Sequence, residues 1–263
     1  MREVELQFAD ATGYESFMGR WSRALAPHIL RSMNPRPKAR WLDVGCGTGI
    51  FTEAVLHSCA PVAVMGIDPA AAQIEQALRT VGDARAGFKQ GDATHLPFAD
   101  ASFDYTVAAL VINFIPEPLA ALAEMRRVTI PGGLVCAFVW DFERELSPSG
   151  PLRQAMRAFG VEVPALPGTQ HSSLGALQSL FRCAGLPDIE PRTIDIVLGY
   201  RDFEDFWSAQ TPSYSPTTRI IDAMSERDRR RLKRTVHDAL PIGPHGKIEY
   251  AARANAVQAK VAA

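Results

Sequence analysis

Residues 39–50 read ARWLDVGCGTGI, and this stretch decides how the chain folds. Residues 39–44 are a compact apolar run of strand length, and glycines at positions 45, 47 and 49 follow directly. From residue 50 to residue 58, apolar side chains recur at helical spacing. The pattern predicts a strand, a tight glycine turn and a helix in immediate succession.

The same alternation continues on both sides of this stretch. The apolar runs predict strands at 39–44, 62–67, 88–91, 103–112, 134–140 and 193–198, and a closing strand that begins near residue 248. The segments between them predict helices at 50–58, 70–79, 119–128, 152–159 and 174–184. Runs that are apolar on both faces indicate parallel strands covered on each side by helices. We therefore expect an α/β fold: a doubly wound, Rossmann-like mixed sheet of seven strands, the last one antiparallel.

The domain organisation follows from where the alternation of predicted strands and helices is interrupted. We expect one domain over residues 1–263, with a cofactor-binding core at 39–140 and a closing strand within 245–263. Residues 141–173 and 200–244 are predicted cap insertions. The second insertion is expected to hold one long helix, because apolar residues form a stripe there: Ile221, Met224, Leu232, Val236 and Leu240.

Composition excludes several classes of protein. The 28 Lys and Arg residues nearly balance the 29 Asp and Glu residues, so no chain-wide field favours nucleic acid. The four cysteines lack CxxC spacing and nearby histidine clusters, so no metal site or disulfide framework is indicated. The first seven residues carry two acids and no apolar segment, and no apolar run approaches the length of a membrane span. We expect a soluble, cytoplasmic protein that does not bind membranes.

The glycine turn limits the choice of ligand. A dinucleotide fingerprint would need glycine at position 50, where the chain has Ile50, and no Lys-Ser/Thr pair follows the glycines as in a phosphate-binding loop. Asp68 follows the second predicted strand and Asp92 follows the third, so both face the cleft at the strand ends. Asp68 can accept both ribose hydroxyls, and Asp92 can accept an adenine N–H. The pattern favours an adenosyl ligand without phosphates.

Four motifs at this spacing resemble one known family. They are WLDVGCGTG (41–49), GIDP (66–69), GDATHLPFADASFD (91–104) and LVINFIPEPLAALAEMRRVTIPGG (110–133). The chain resembles the class I S-adenosylmethionine-dependent methyltransferases, and among them the small-molecule branch related to quinone-biosynthesis C-methyltransferases (methyltransferase type 11). The resemblance implies methyl transfer from S-adenosylmethionine to a small-molecule acceptor by in-line displacement, with S-adenosylhomocysteine as product.

The resemblance also implies a role for individual residues. Asp43 would orient the glycine turn, Asp68 would hold the ribose, and Asp92 with Ala93 would hold the adenine. Leu110 would lie beside the sulfonium. Apart from the resemblance, Asn113, Phe114 and Trp140 are expected to line the substrate pocket because they lie near the ends of the fourth and fifth predicted strands. The other cofactor contacts implied by the motifs are Gly45, Cys46, Gly47, Thr48, Gly49, Pro69 and Gln73.

Two features leave the catalytic chemistry open. The histidine common after the fourth strand of such enzymes is replaced here by Asn113-Phe114. Asp141, directly after the fifth strand, is the candidate base if the acceptor needs one. The sequence does not identify the acceptor, its reacting atom or the oligomeric state.

The segment YESFMGRWSR, residues 14–23, resembles an N-terminal helix that folds over the cofactor in some related bacterial enzymes. We expect residues 1–38 to form a helical lid, with Tyr14, Met18, Arg20 and Trp21 at the cofactor. The alternative is a helix whose aromatic residues only pack on the sheet.

Two further functions remain open. The basic run RDRRRLKR, residues 227–234, could dock a macromolecular substrate, although a solvated helix face is the expected role because the opposite face is apolar. The chain could also bind S-adenosylmethionine without catalysing its turnover.

Overall fold

The central sheet forms because each short apolar run is followed by a segment that packs back on it as a helix. The structure, a computed structural model, describes residues 15–213 and 215–262. Its strands are β1 (Arg40–Val44), β2 (Ala63–Asp68), β3 (Ala86–Gln90), β4 (Phe103–Ala109), β5 (Thr129–Trp140), β6 (Ile189–Tyr200) and β7 (Ile248–Lys260).

The helices lie between and around these strands. They are α1 (Arg20–Met33), α2 (Ile50–Ser58), α3 (Ala71–Thr80), α4 (Pro118–Val128), α5 (Gly150–Ala158), α6 (Leu174–Cys183), α7 (Phe203–Gln210), α8 (Pro216–Asp222) and α9 (Glu226–Ala239). In the described part of the chain, no helix combines the length and apolar character that crossing a membrane requires.

The strand order is β3-β2-β1-β4-β5-β7-β6. β1 to β5 are parallel, and β7 lies antiparallel between β5 and β6. The predicted fold class, a seven-stranded mixed sheet with an antiparallel last strand, is confirmed. The order reverses next to β1, so the ends of β1 and β4 open a crevice where ligands bind in such sheets.

Three strands differ from the sequence-based expectation by three or more residues at one end, and one of them is the fifth, which begins at Thr129 and not at residue 134. The fourth strand was expected to reach Ile112 but ends at Ala109, because Leu110 adopts a left-handed backbone with φ of 60°. The sixth strand is longer than residues 193–198, since its whole length from Ile189 to Tyr200 pairs with β7. The early end of β4 turns the chain towards the crevice.

The N-terminal segment is more deeply packed than a lid. One π-helical turn, Glu15–Gly19, leads into α1, where Trp21, Leu25 and Ile29 have no solvent exposure. These side chains join the apolar core under α2, and α1 also packs against β6. The expectation of a lid over residues 1–38 is therefore corrected for α1, which is part of the core. Tyr14 lies outside the described residues.

The second insertion differs from its prediction as well. It contains three helices, α7, α8 and α9, instead of one long helix. Ser215 and Ser225 begin the last two, each accepting a hydrogen bond from a backbone N–H two or three residues later. The predicted apolar stripe is real, because Ile221, Leu232, Val236 and Leu240 are buried, but it is shared between helices.

Candidate active site

The glycine turn has a backbone that side chains would disturb. Gly45, Gly47 and Gly49 have φ values of 68°, 53° and 87°, a region that L-residues other than glycine rarely adopt. A Cβ on Gly45 would lie 2.6 Å from the side chain of Val111. The amide of Gly45 donates to the carbonyl of Ile67 at 2.7 Å, which fixes the turn to the end of β2.

Asp43 supports this turn from behind. Its side chain is buried, and Oδ2 accepts a hydrogen bond from the Thr52 hydroxyl at 2.7 Å. Burial raises the pKa of Asp43 to about 7, against the opposing effect of the Thr52 hydrogen bonds. Asp43 thus links the end of β1 to α2 and does not line the cavity described below.

Asp68 lies at the end of β2, and one of its carboxylate oxygens binds the glycine turn while the other binds the residue before α3. Oδ2 accepts from the amide of Gly47 at 3.0 Å, and Oδ1 accepts from the amide of Ala70 at 2.9 Å. Burial raises the pKa of Asp68, while these two hydrogen bonds lower it. Each oxygen has a further lone pair, so the carboxylate can still accept from a ligand hydroxyl.

Asp92 follows β3 and is held in a local turn. Its Oδ1 accepts from the amide of Thr94 at 2.8 Å, and this hydrogen bond is the main reason that the pKa of Asp92 is lowered. The carboxylate is therefore charged at neutral pH. Both Asp92 and Ala93 line the same cavity as Asp68.

One cavity of about 450 Å³ brings the strand ends and the cap together. Eleven of the residues predicted from the sequence line it: Met18, Gly45, Gly47, Asp68, Pro69, Gln73, Asp92, Ala93, Leu110, Phe114 and Trp140. Cys46 and Thr48 line a smaller recess of about 40 Å³, bounded by Ser22 and Ala26 of α1, that shares Gly45, Gly47 and Leu110 with it.

Arg20 and Trp21 do not line this cavity, which corrects the expectation that they reach the cofactor. Arg20 pairs with Asp205 at 3.3 Å, and its Nη2 donates to the carbonyl of Gly199 at 3.1 Å. Trp21 donates from Nε1 to the Tyr200 hydroxyl at 3.0 Å. Arg20 therefore anchors α1 to β6 and α7, and Trp21 anchors it to the sheet.

Three other predicted residues also lie outside the cavity wall. Gly49 begins α2, where an added Cβ would meet Val81 at 2.9 Å. Asn113 is buried, and its side-chain nitrogen and oxygen have no hydrogen-bond partner among the described residues. Asp141 is buried too, and its Oδ1 accepts from the amide of Arg144 at 3.1 Å. Asp141 thus stabilises the turn after β5, which corrects its assignment as a candidate base.

Sequence reasoning missed most of the wall contributed by the cap and the N-terminal turn. These residues include Phe17, Val111, Ile115, Phe142, Ser149, Arg153, Leu166, Pro212, Ser215 and Thr217. Phe17, Val111 and Ile115 adjoin predicted residues and could have been included on that ground. The others come from loops and short helices whose positions depend on long-range packing, and they carry no motif.

Comparison with known proteins agrees with this geometry. Residues 42–137, which contain the glycine turn and both aspartates, match the family described as a methyltransferase domain. Over 109 residues the chain is 38% identical to the demethylmenaquinone methyltransferase of Staphylococcus aureus (strain JH9), covering 41% of this chain and 45% of that protein. The chain thus spans less than half the length of the curated relatives it matches.

Two solved structures share the whole fold. The YcgJ protein of Bacillus subtilis superposes with a TM-score of 0.59 and 19% identity, covering 93% of this chain and 99% of that one. The second is the Haemonchus contortus phosphoethanolamine N-methyltransferase 2 in complex with phosphomonomethylethanolamine and S-adenosylhomocysteine. It superposes with a TM-score of 0.59 and 17% identity, covering 99% of this chain and 61% of that one. These superpositions place the chain in the class of Rossmann-like α/β folds. Residues 42–137 match the methyltransferase domain model, so the resemblance to the methyltransferase type 11 family is confirmed over that segment.

Proposed function

We propose that the protein transfers a methyl group from S-adenosylmethionine to a small-molecule acceptor. The observation that carries this proposal is one cavity that joins the glycine turn, Asp68 and Asp92 to an apolar wall built by the cap. The bound cofactor supplies an electrophilic methyl on a sulfonium, so the protein needs to bind, align and exclude water.

The strand ends fit such a cofactor. A Cβ on Gly47 would have only the side-chain oxygen of Gln73 nearby, at 4.0 Å, so the bare backbone leaves room for a ligand. Asp68 would accept from the ribose hydroxyls, and Asp92 from the adenine amino group. The methionyl part would lie along Gly45, Cys46 and the recess beside Ser22. The structural neighbour from Haemonchus contortus, which holds S-adenosylhomocysteine, supports the choice of ligand.

The other end of the cavity fits an apolar acceptor. Its wall includes Phe17, Phe114, Trp140, Phe142 and Leu166, which exclude water from the methyl donor. Among the described residues of the wall, the ionisable side chains are Asp68, Asp92 and Arg153. We infer that the acceptor arrives already nucleophilic, since both aspartates are assigned to the cofactor and Asp141 does not reach the cavity.

A small acceptor is favoured over a macromolecule. The name of the Staphylococcus aureus relative indicates a quinone-type small molecule for that protein. Part of the basic run on α9 is paired with carboxylates of the protein: Arg230 contacts Glu226 and Arg231 contacts Asp228 in the same helix, and Lys233 contacts Glu204 of α7. This pairing supports a solvated face for residues 227–234, with no docking role.

Calorimetry tests the cofactor assignment. S-adenosylhomocysteine should bind the wild-type protein, and NAD should produce no comparable heat. Asp68→Ala should weaken S-adenosylhomocysteine binding by about 1.5–3 kcal/mol, the range for hydrogen bonds to a charged group. Asp188→Ala, which removes an exposed carboxylate from the turn before β6, is the matched control and should bind normally. Unchanged affinity in Asp68→Ala refutes the ribose assignment.

Turnover needs a separate test, because a protein could bind the cofactor without using it. A panel of small metabolites should contain acceptors that release S-adenosylhomocysteine from S-adenosylmethionine in the presence of the enzyme. Tight cofactor binding without release across the panel would favour a non-catalytic binding protein.

A further inference from the structure

Arg153 is a buried cation at the cap end of the cavity. It lies on α5, its side chain is only 7% exposed, and it lines the main cavity together with Ser149 and Leu166. A guanidinium stays charged in proteins, so it cannot avoid the cost of burial by losing its proton. Such a charge needs a partner of opposite sign.

The partner within the protein is incomplete. The nearest carboxylate oxygen is Glu145 Oε1, 3.7 Å from Arg153 Nε, and the same oxygen is in closer contact with the Arg157 guanidinium. Nη2 of Arg153 donates to the neutral carbonyl of Pro164 at 2.7 Å. Two guanidinium groups therefore share one carboxylate, which leaves a net positive charge at this point.

The other charged side chains that share a cavity wall with Arg153, apart from Asp68 and Asp92, line a second cavity and not the main one. Glu143 and Glu145 line a second cavity of about 240 Å³, and Arg153 and Arg157 line it as well. In the main cavity, Arg153 is the cation among the described wall residues, and the same wall carries the polar side chains of Ser149, Ser215 and Thr217. Burial and Arg157 lower the pKa of Arg153, whereas Glu145 raises it, as expected for a cation whose compensation is partial.

The two ends of the main cavity thus differ in charge. Asp68 and Asp92 make the strand end acidic, and Arg153 makes the cap end basic. Between them the wall is apolar, with Phe114, Trp140 and Phe142. A ligand that satisfies the cap end has an apolar body and an anionic oxygen pair matching the planar guanidinium.

We propose that Arg153 binds the carboxylate of the methyl acceptor, so that the substrates are apolar or aromatic carboxylic acids rather than neutral molecules. This inference rests on the proposed function, because it assumes that the cap end holds the acceptor. It assigns the carboxylate as a handle that orients the acceptor towards the cofactor.

Matched pairs of acids and amides test the proposal by calorimetry on protein saturated with S-adenosylhomocysteine. Suitable probes are salicylate with salicylamide, cinnamate with cinnamamide, and indole-3-acetate with its amide. At least one acid should bind about tenfold or more tightly than its amide. Because the sulfur of S-adenosylhomocysteine is neutral, a preference for the acid cannot come from attraction to a sulfonium charge.

Three variants connect this preference to Arg153. Arg153→Gln keeps an N–H donor for Pro164 and should abolish the preference for acids. Glu145→Gln removes the carboxylate that competes for Arg153 and should strengthen the preference for acids. The two variants thus change this preference in opposite directions, which a purely structural arginine would not produce. Arg144→Gln removes an exposed guanidinium from the same insertion and should leave the preference unchanged.

Failure of this inference can be distinguished from failure of the proposed function. Equal binding of acids and amides, absence of carboxylate binding across the panel, or an unchanged preference in Arg153→Gln overturns the role of Arg153. In all three cases S-adenosylhomocysteine would still bind the wild type and Arg153→Gln alike. Loss of S-adenosylhomocysteine binding by the wild type would instead contradict the proposed function.

Discussion

The two ends of the cavity are built from different parts of the chain. The cofactor end is made by turns that directly follow β1, β2 and β3, and its residues lie within a few positions of a strand end. The acceptor end is made by Phe17 and Met18, Phe114, Trp140 and the segment that follows it, and by Pro212 and residues 215–217. Local sequence therefore determines the first end, and packing of distant segments determines the second.

This difference explains why the match to the known domain covers the cofactor end of the cavity but not the cap. The methyltransferase domain match stops at residue 137, before Trp140, Arg153 and the cap helices. A chain can keep its cofactor geometry while the acceptor end changes, because the cap contributes no backbone to the glycine turn. The predictions that follow perturb one end and measure the other, from the largest expected effect to the smallest.

The largest effect is expected from substitution of Trp21, whose ring packs against Trp140 at the acceptor end. Its ring contacts Trp140 edge-on at 6.1 Å between centroids, and it has no solvent exposure. Trp21→Ala should lower the free energy of unfolding by about 3–5 kcal/mol, measured in urea. Trp207→Ala, which removes a partly exposed ring from α7, should cost clearly less.

The affinity of the folded Trp21→Ala protein for S-adenosylhomocysteine should stay within about threefold of wild type, because α1 contacts the cofactor end only through the small recess. A large loss of affinity without a loss of stability would show that Trp21 contacts the cofactor directly.

A substitution in the glycine turn should have the opposite pattern, with a large loss of ligand affinity and a smaller loss of stability. Gly47→Ala places a methyl group in the open cavity at a backbone φ of 53°, which costs about 1–2 kcal/mol for an L-residue. S-adenosylhomocysteine affinity should fall about tenfold or more, as measured by calorimetry. Phe142→Ala, at the acceptor end, is the control and should leave that affinity nearly unchanged. Equal losses in both variants would mean that the two ends are not separable.

Sequence reasoning succeeded where chemistry is local. Asp68 and Asp92 could be predicted because each follows a recognisable apolar run, and parallel strands end at one edge. Arg153 could not, because its meaning depends on Glu145, Arg157 and Pro164, which only the folded cap brings together. Asp141 directly follows the fifth strand, as predicted, but its carboxylate accepts a hydrogen bond within the turn that it begins.

The helical segments show the same limit. The apolar stripe of the second insertion predicted correctly which residues are buried, whereas Ser215 and Ser225 divide it into separate helices. Likewise, the aromatic residues near the N-terminus suggested a lid, and the choice between lid and core depended on Tyr200, which lies far away in sequence. Hydrophobic periodicity predicts burial, but it does not specify the partner.

A difference in pH dependence should separate Asp43 from the rest of the cofactor end. Its pKa rises from an ordinary value of 3.8 to about 7 in the folded protein, mainly through burial. The folded state therefore holds a proton that the unfolded state has lost, so this contribution to stability is complete below pH 3.8 and disappears as the pH rises through about 7.

Asp43→Asn keeps an acceptor for Thr52 and removes the titration. The stability difference between Asp43→Asn and wild type should therefore shift in favour of the variant between about pH 4 and about pH 8, in urea unfolding measured across that range. A difference that is independent of pH would contradict the assigned titration. Thr52→Val, which removes the hydroxyl donor, should instead raise the pKa of Asp43 further.

The smallest effect is expected for the basic face of α9. Replacing Arg229, Arg230 and Arg231 with Ala removes exposed or partly exposed side chains, and surface ion pairs contribute about 0–1 kcal/mol each. S-adenosylhomocysteine affinity should be unchanged. Salt-sensitive retention of RNA by the wild type, lost in this variant, would favour a macromolecular substrate instead.

Hydrogen exchange with and without S-adenosylhomocysteine tests the central claim most directly, because it maps both ends of the cavity at once. Strong protection is expected at residues 45–49, 67–70 and 91–93, with little change at the acceptor end, including α5. Protection confined to α5 and residues 212–217, with none at the glycine turn, would contradict the assignment of the strand ends to the cofactor.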